Sequence, residues 1–249
     1  MKEIIELIRS SSYTIVFTGA GMSTESGLPD FRSKERGLWT KFNPDELANV
    51  YALDNNFEEF TDFYQYRLRE IDKYQPHEGH FVLGKWEQKG IIRGIVTQNV
   101  DGFHHDAGNR NVMELHGTFR NFFCNQCKRE HIREEYLYGN SHCEYCDGPV
   151  RPGIVLFGEM LPEEVFNKAE IETSKADLFI VLGSSLTVTP ANIFPMMAKE
   201  HGAKLVIVNR EATPLDHYAD YIIRDKSIKE WLIEVNEGLS STILKERDE

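Results

Sequence analysis

Apolar residues along the chain follow two periods. Tyr13 to Phe17, Leu178 to Leu182 and Leu205 to Val208 are unbroken apolar or β-branched runs, the pattern of parallel strands covered on both faces. Shorter runs at Gly94 to Thr97, Val112 to Leu115 and Ile154 to Phe157 are assigned to the same sheet, and Ala219 to Ile223 is expected to be its last strand. Between them the spacing is helical. Residues 2–9 place Ile4, Ile5 and Ile8 on one face, and residues 56–74 carry Phe57, Phe60, Phe63, Tyr64 and Leu68. Asn43-Pro44-Asp45-Glu46 reads as a helix start, with Asn as cap and Pro at the first position. Thr189-Pro190 opens a helix that Gly202 can close. Ser227-Ile228-Lys229-Glu230 is a capping box for a final helix carrying Trp231, Leu232, Val235 and Leu239.

Strands alternating with helices predict an α/β fold, a doubly wound, Rossmann-like parallel sheet. The expected large domain comprises residues 1–32, 75–117 and 152–249. A helical insertion at 33–74 and a metal-binding module at 118–151 form the small one. Ligands in such sheets bind at the carboxyl ends of strands. Polar or glycine signatures follow the strands at Gly19, Gln98, His116, Phe157, Gly183 and Asn209.

The 249 residues suffice for one large domain with a small satellite. No stretch approaches the roughly 20 apolar residues that span a bilayer. The start, MKEIIELIRS, contains two acids and is not a secretion signal, so a cytoplasmic location is expected. The net charge of −12 argues against nucleic acid and is compatible with basic protein substrates. A monomer with no membrane partner is expected. Cys124, Cys127, Cys143 and Cys146 form two Cys-x-x-Cys pairs separated by 15 residues, a spacing that supplies four thiolates to one tetrahedral, structural Zn²⁺. Disulfides are the alternative, disfavoured in a reducing compartment. Lys128, Arg129 and Arg133 are placed to offset the thiolate charge.

After the first strand, Gly19 and Gly21 allow a sharp turn and close approach of backbone N–H groups to an anion. Ser23, Thr24 and Ser26 follow, suited to capping a helix or bonding phosphate oxygens. The third glycine of the usual dinucleotide fingerprint is missing, because Thr24 stands there. Pro29-Asp30-Phe31-Arg32 brings a carboxylate, an aromatic face and a guanidinium beside the turn, a set suited to a pyridinium dinucleotide whose sugar is handled. His116 lies at the carboxyl end of a strand and before a glycine, where an imidazole could act as a base near neutral pH. His77, His80, His104 and His105 are assigned packing or capping roles.

GAGMSTESGLPDFRS, TQNVDGFH, ELHG, the two cysteine pairs, VLFGE, GSSLTV and VNRE occur in the order found in the sirtuins, and from about Val16 to Arg210 the chain resembles that family of NAD-dependent protein lysine deacylases. A short sirtuin of the bacterial or archaeal type is implied. The resemblance implies that His116 is the catalytic base, with Asn99 and Asp101 as partners against the nicotinamide and its ribose. It implies that Val100, Asp30, Phe31, Arg32 and Gln98 line the same pocket. Ala20, Gly21, Thr24, Gly183, Ser184 and Ser185 would bind the phosphates and nearby ribose, and Asn209, with Glu211 as second candidate, the adenosine ribose. The family often has Gly-Thr-Ser where Gly183-Ser184-Ser185 stands, so a hydroxyl is retained. Val155, Phe157, Gly158 and Glu159 would hold an extended acyl-lysine peptide by strand addition.

No serine or cysteine elbow is present and four sulfurs close the zinc, so hydrolysis by an enzyme nucleophile lacks an agent. The implied reaction instead consumes NAD as co-substrate. Nicotinamide leaves, the acyl oxygen captures the ribose, and His116 activates a ribose hydroxyl that accepts the acyl group. Tyr64 and Arg67 resemble the Tyr-x-x-Arg pair of members that prefer succinyl, whereas Asp30 is more typical of deacetylases, so acetyl is expected. Mono-ADP-ribosyl transfer, hydride transfer and a nucleic-acid-binding ribbon are rival readings.

Overall fold

The computed structural model describes residues 1–31 and 37–245, with the side chains of Asp45 and of 242–245 left aside. In chain order the strands are β1 (Thr14–Thr18), β2 (Gly94–Thr97), β3 (Val112–Glu114), β4 (Gly117–Cys124), β5 (Glu130–His131), β6 (Val150–Ile154), β7 (Leu178–Leu182), β8 (Lys204–Val208) and β9 (Tyr221–Ile223). Six of them form one sheet in the order β3-β2-β1-β7-β8-β9, with every neighbouring pair parallel. The order reverses between β1 and β7, which creates the crevice where ligands bind in doubly wound sheets.

The apolar runs are continuous because alternate residues serve opposite faces. Val16, Ile95, Ile180 and Val206 pack on one side with Ile4 and Ile8 of helix Lys2–Ser10, Trp86 of helix Glu78–Gln88, and Trp231 and Val235 of helix Ile228–Lys245. Ile15, Phe17, Phe179 and Ile207 pack on the other side with Ala169 of helix Glu163–Ser174 and with Phe194 and Ala198 of helix Phe194–Glu200. The capping box forms as expected: Ser227 N–H donates to Glu230 and Glu230 N–H to Ser227 Oγ.

Two assignments differ. The helical insertion contains helices Pro44–Leu47, Val50–Asn55 and Phe57–Ile71, one more than the helix from Asn43 and the second run over 56–74, because Asn49 caps a separate helix by accepting the Ala52 N–H. The run Ile154 to Phe157 does not enter the parallel sheet. Ile154 ends β6, which pairs antiparallel with β4 in a second sheet ordered β5-β4-β6. Phe157 then makes an isolated bridge to Asn49. This second sheet shares a core with helix Phe57–Ile71 through Phe60, Tyr64, Leu68, Phe119, Phe122 and Val150.

Candidate active site

The glycine turn is built by close backbone packing of two loops. Gly19 N–H donates to the Leu182 carbonyl and Gly21 N–H to the Gly183 carbonyl, at 3.1 and 2.9 Å. A Cβ on Gly21 would lie 2.7 Å from Gly183 Cα. Gly183 itself has φ +65°, and a Cβ there would meet Met22 N at 2.4 Å. No other residue fits these positions without displacing backbone. The segment Ala20–Ser26 that follows is a 3₁₀ helix, not the start of an α-helix. Two of its three hydroxyls are engaged within the protein: Thr24 Oγ1 donates to Gly21 O, and Ser23 Oγ to Asp101 Oδ2, whereas Ser26 Oγ is buried without a hydrogen-bond partner among the described residues.

One cleft of about 1050 Å³ opens at the carboxyl ends of the strands. Ala20, Gly21 and Thr24 line it from the glycine turn, and Asp30 and Phe31 from the segment beyond. Gln98, Asn99 and Val100 enter after β2, and Gly183, Ser184 and Ser185 after β7. Asn209 and Glu211 enter after β8. The opposite wall carries Tyr64, Arg67, Val155, Phe157, Gly158 and Glu159, and His116 stands between the two walls. Arg32 lies outside the described residues. Asp101 is set back from the lining, and burial pushes its carboxyl up from the ordinary range. Its Oδ1 accepts the Phe103 N–H, and Ser23, which holds its Oδ2, also accepts from Asn99 Nδ2.

His116 Nδ1 lies 3.0 Å from the Gln98 carbonyl oxygen. A carbonyl only accepts, so Nδ1 carries the hydrogen and Nε2 holds the lone pair of the neutral ring. The Gln98 side chain meanwhile donates to Ser184 Oγ at 2.7 Å, tying the ends of β2 and β7 together. The His116 carbonyl accepts the Val155 N–H at 2.8 Å, which joins the imidazole-bearing turn to the opposite wall.

That wall depends on a residue the motifs did not single out. Arg151 on β6 is 2% exposed and makes two bonds to the Glu159 carboxylate, at 2.6 and 2.9 Å. Glu159 also accepts the Leu156 N–H. Burial raises the carboxyl of Glu159, but Arg151 and this N–H outweigh it and leave the group below its usual range. Glu159 therefore shapes the 155–159 turn. The N–H of Phe157 donates to Ala48 O and its carbonyl accepts the Val50 N–H, so both backbone groups of Phe157 are used within the protein. Deeper in the wall, Tyr64 is fully buried, and the Arg67 guanidinium lies 5.0 Å from the Phe31 ring centre and 5.2 Å from that of Phe119. Burial lowers the Arg67 pKa, while Tyr64 and Asp101 favour its charge.

The four cysteines converge in the second sheet. Cys124 and Cys146 Sγ are 3.5 Å apart, Cys127 and Cys143 3.7 Å, and all four lie within 4.8 Å of one another. Tetrahedral Zn–S bonds of about 2.3 Å require sulfurs about 3.8 Å apart, so the set fits zinc. The two knuckles repeat one geometry, with Lys128 and Asp147 each in the left-handed region and each donating back to the first cysteine carbonyl of its pair. Of the expected charge partners, Arg129 stacks on Tyr145, whereas Arg133 is taken by Asp72 across the interface to helix Phe57–Ile71. His104 bonds Thr18, and His77 caps a helix, as the packing assignments anticipated.

Residues 19–190 match the family described as the Sir2 family. A protein of Oceanobacillus iheyensis named NAD-dependent protein deacetylase is 53% identical over 236 residues, 94% of this chain and all of that one. A protein of the same name from Saccharolobus solfataricus is 46% identical, covering 90% of this chain and 91% of its own. Among solved structures, a Sir2 complex with a p53 peptide and NAD⁺ is 35% identical with a TM-score of 0.87, over 96% of this chain and 98% of that one. A mutant Sir2 homologue bound to ADP-ribose superposes with a TM-score of 0.93 at 35% identity, covering 98% of each chain. With a family match over more than half its length and relatives near 50% identity, this chain belongs to the Sir2 family.

Proposed function

We propose that this protein is an NAD-dependent protein lysine deacetylase that releases nicotinamide and transfers the acetyl group to ADP-ribose. The carrying observation is the single cleft in which His116, with its lone pair on Nε2, faces the glycine loops on one side and an extended wall on the other. NAD supplies an electrophilic ribose carbon and a good leaving group. Gly19, Gly21 and Gly183 let the backbone approach its pyrophosphate, with Ala20, Thr24, Ser184 and Ser185 beside it. Asn209 and Glu211, at the end of β8, meet the adenosine ribose. Gln98, Asn99, Val100, Asp30 and Phe31, backed by Asp101, enclose the nicotinamide end. His116 takes a proton from a ribose hydroxyl, and its Nδ1–H bond to Gln98 O keeps the required tautomer. Val155, Phe157 and Gly158 receive the peptide, with Phe157 47% exposed at the rim. Four sulfurs would hold zinc in the ribbon, where it supplies folding energy and no open coordination position.

A second reading concerns the acyl group. Tyr64 and Arg67 both line the cleft, which favours an acidic acyl chain such as succinyl. Against it, the Arg67 guanidinium is already placed between two aromatic rings, and we assign acetyl.

Mass spectrometry of products from NAD and an acetylated peptide tests the reaction. Free lysine, nicotinamide and acetyl-ADP-ribose are expected, with turnover abolished and NAD binding retained in His116→Ala. Parent-rate turnover in that variant, or radiolabel from NAD remaining on protein, refutes the assignment.

A further inference from the structure

His77 precedes helix Glu78–Gln88 and is buried, yet the proposed reaction gives it no part. Its Nδ1 accepts the N–H of Gly79 at 2.9 Å and so caps the helix. Its Nε2 lies 2.6 Å from the carbonyl oxygen of Met22, inside the glycine turn. A nitrogen that accepts from an amide needs its lone pair, and one that faces a carbonyl must carry hydrogen. Only the neutral ring with hydrogen on Nε2 satisfies both contacts.

The bonded carbonyl belongs to the Met22–Ser23 peptide. On one side of that peptide is Gly21, packed on Gly183; on the other is Ser23, whose hydroxyl joins Asp101 and Asn99. The orientation of this one peptide plane therefore sets both the turn that faces the phosphates and the hydroxyl that orders the nicotinamide end. We propose that His77 is a positioning residue for cofactor binding, a single-tautomer pin that holds the Met22–Ser23 peptide in the shape NAD requires.

The surroundings keep the pin neutral. His80 is 0% exposed, lies 4.3 Å ring to ring from His77, and among the described residues has neither ring nitrogen hydrogen-bonded. His104 follows at 5.2 Å from His80. Burial lowers the pKa of His77, opposed by its bond to Met22 and by Glu25 and Glu78 and aided by Lys229 on the C-terminal helix. A proton on Nδ1 would face the Gly79 N–H, donor against donor.

Two substitutions separate the capping role from the pin. Asn is a good N-cap but is too short to reach Met22, whereas Gln carries an amide N–H of similar reach to the imidazole Nε2 and is a poorer cap. His77→Asn is expected to keep the helix cap, to lower Tm by no more than the few degrees that one hydrogen bond carries, and to raise the Kd and KM for NAD about fivefold, the scale of that bond, with kcat at saturating NAD unchanged. His77→Gln is expected to recover most of the NAD affinity while lowering Tm. The inference rests on the NAD reading above, and calorimetric titration of the parent with NAD separates the two. A parent that binds no NAD overturns the functional reading and this inference with it. A parent that binds NAD alongside a His77→Asn variant of equal affinity overturns the pin alone, as does NAD affinity that merely follows Tm in both variants.

Discussion

Removing Glu159 should cost far more than its half-exposed place at the cleft wall suggests. The carboxylate is 31% exposed, but its partner Arg151 is 2% exposed and cannot turn to water. In Glu159→Ala the guanidinium keeps the carbonyls of Pro152 and Ile154 and the face of Phe123 5.5 Å away, and loses its only counter-charge among the described residues. Breaking one side of a buried pair typically costs about 3 to 5 kcal/mol, and solvent reaching the vacated site argues for the lower end. For a chain of this size, ~3 kcal/mol corresponds to a Tm lower by about 6 to 12 °C. The Leu156 N–H loses its acceptor as well, so the 155–158 turn loosens and the KM for acetylated peptide rises while NAD binding holds. Scanning calorimetry and peptide kinetics measure both effects. Adding Arg151→Met should restore part of the lost stability, because the penalty is an unpaired buried charge. A Tm within 2 °C of the parent and an unchanged peptide KM in Glu159→Ala would refute this reasoning.

Chelation of zinc, or Cys124→Ser, should raise proteolytic cleavage within residues 118–151 and lower activity, with NAD binding weakened less than turnover; an intact ribbon after metal removal would contradict this. An acetylated peptide should be turned over faster than its succinylated counterpart, and succinyl turnover that equals it and disappears in Arg67→Ala would reverse the acyl assignment. Stability should be whole above pH 6.5 and fall below it, because burial lowers the pKa values of His77, of His80 and of His104, the last to about 3, and the unfolded chain takes up protons the native one refuses. Each refused proton contributes up to about 1.4 kcal/mol per pH unit, so a urea midpoint unchanged between pH 7 and 5.5 would count against the buried histidines.

What the sequence made legible follows from how local each signal is. Continuous runs such as Leu178 to Leu182 marked central strands because both faces of the sheet are covered, and Ser227 with Glu230 marked a helix start because both bonds lie within four residues. The cysteine spacing carried the metal site because each knuckle is a short local turn. The run Ile154 to Phe157 misled because an apolar stretch does not say which sheet receives it. The available clue was Pro152-Gly153, a proline without an N–H inside a strand, which fits an edge such as β6 and not a central parallel strand. Arg151 was invisible for the opposite reason: its partner lies eight residues on, beyond the end of β6 and across a turn, so no one strand or helix carries both, and burial of a lone arginine leaves no trace in the pattern. The Ser23 contact to Asp101 spans 78 residues and depends on the order of strands, which no local motif encodes.

Under the proposed reaction, the position of His116 would couple a metal without an open site to the chemistry. β3 ends at Glu114 and β4 begins at Gly117, so the chain passes from the parallel sheet into the zinc ribbon through Leu115 and His116 with no loop between. Leu115 N–H is held by Thr97 O on the one side, and the His116 carbonyl holds Val155 N–H on the other. Gly117, at φ +71°, brings the chain so close to β6 that a Cβ would meet the Gly153 carbonyl at 2.1 Å. The turn that carries the imidazole is therefore clamped between two sheets. The ribbon's β4–β5 pair is two residues long and its β4–β6 register is broken between Thr118 and Phe122, so its order leans on the cysteine cluster and on packing against helix Phe57–Ile71. Loss of zinc should loosen β4 at Cys124 and its partner β6, and with them the Val155 bond that holds the His116 carbonyl. Turnover should fall before cofactor affinity, because the glycine loops are anchored to β1 and β7 in the sheet that needs no metal.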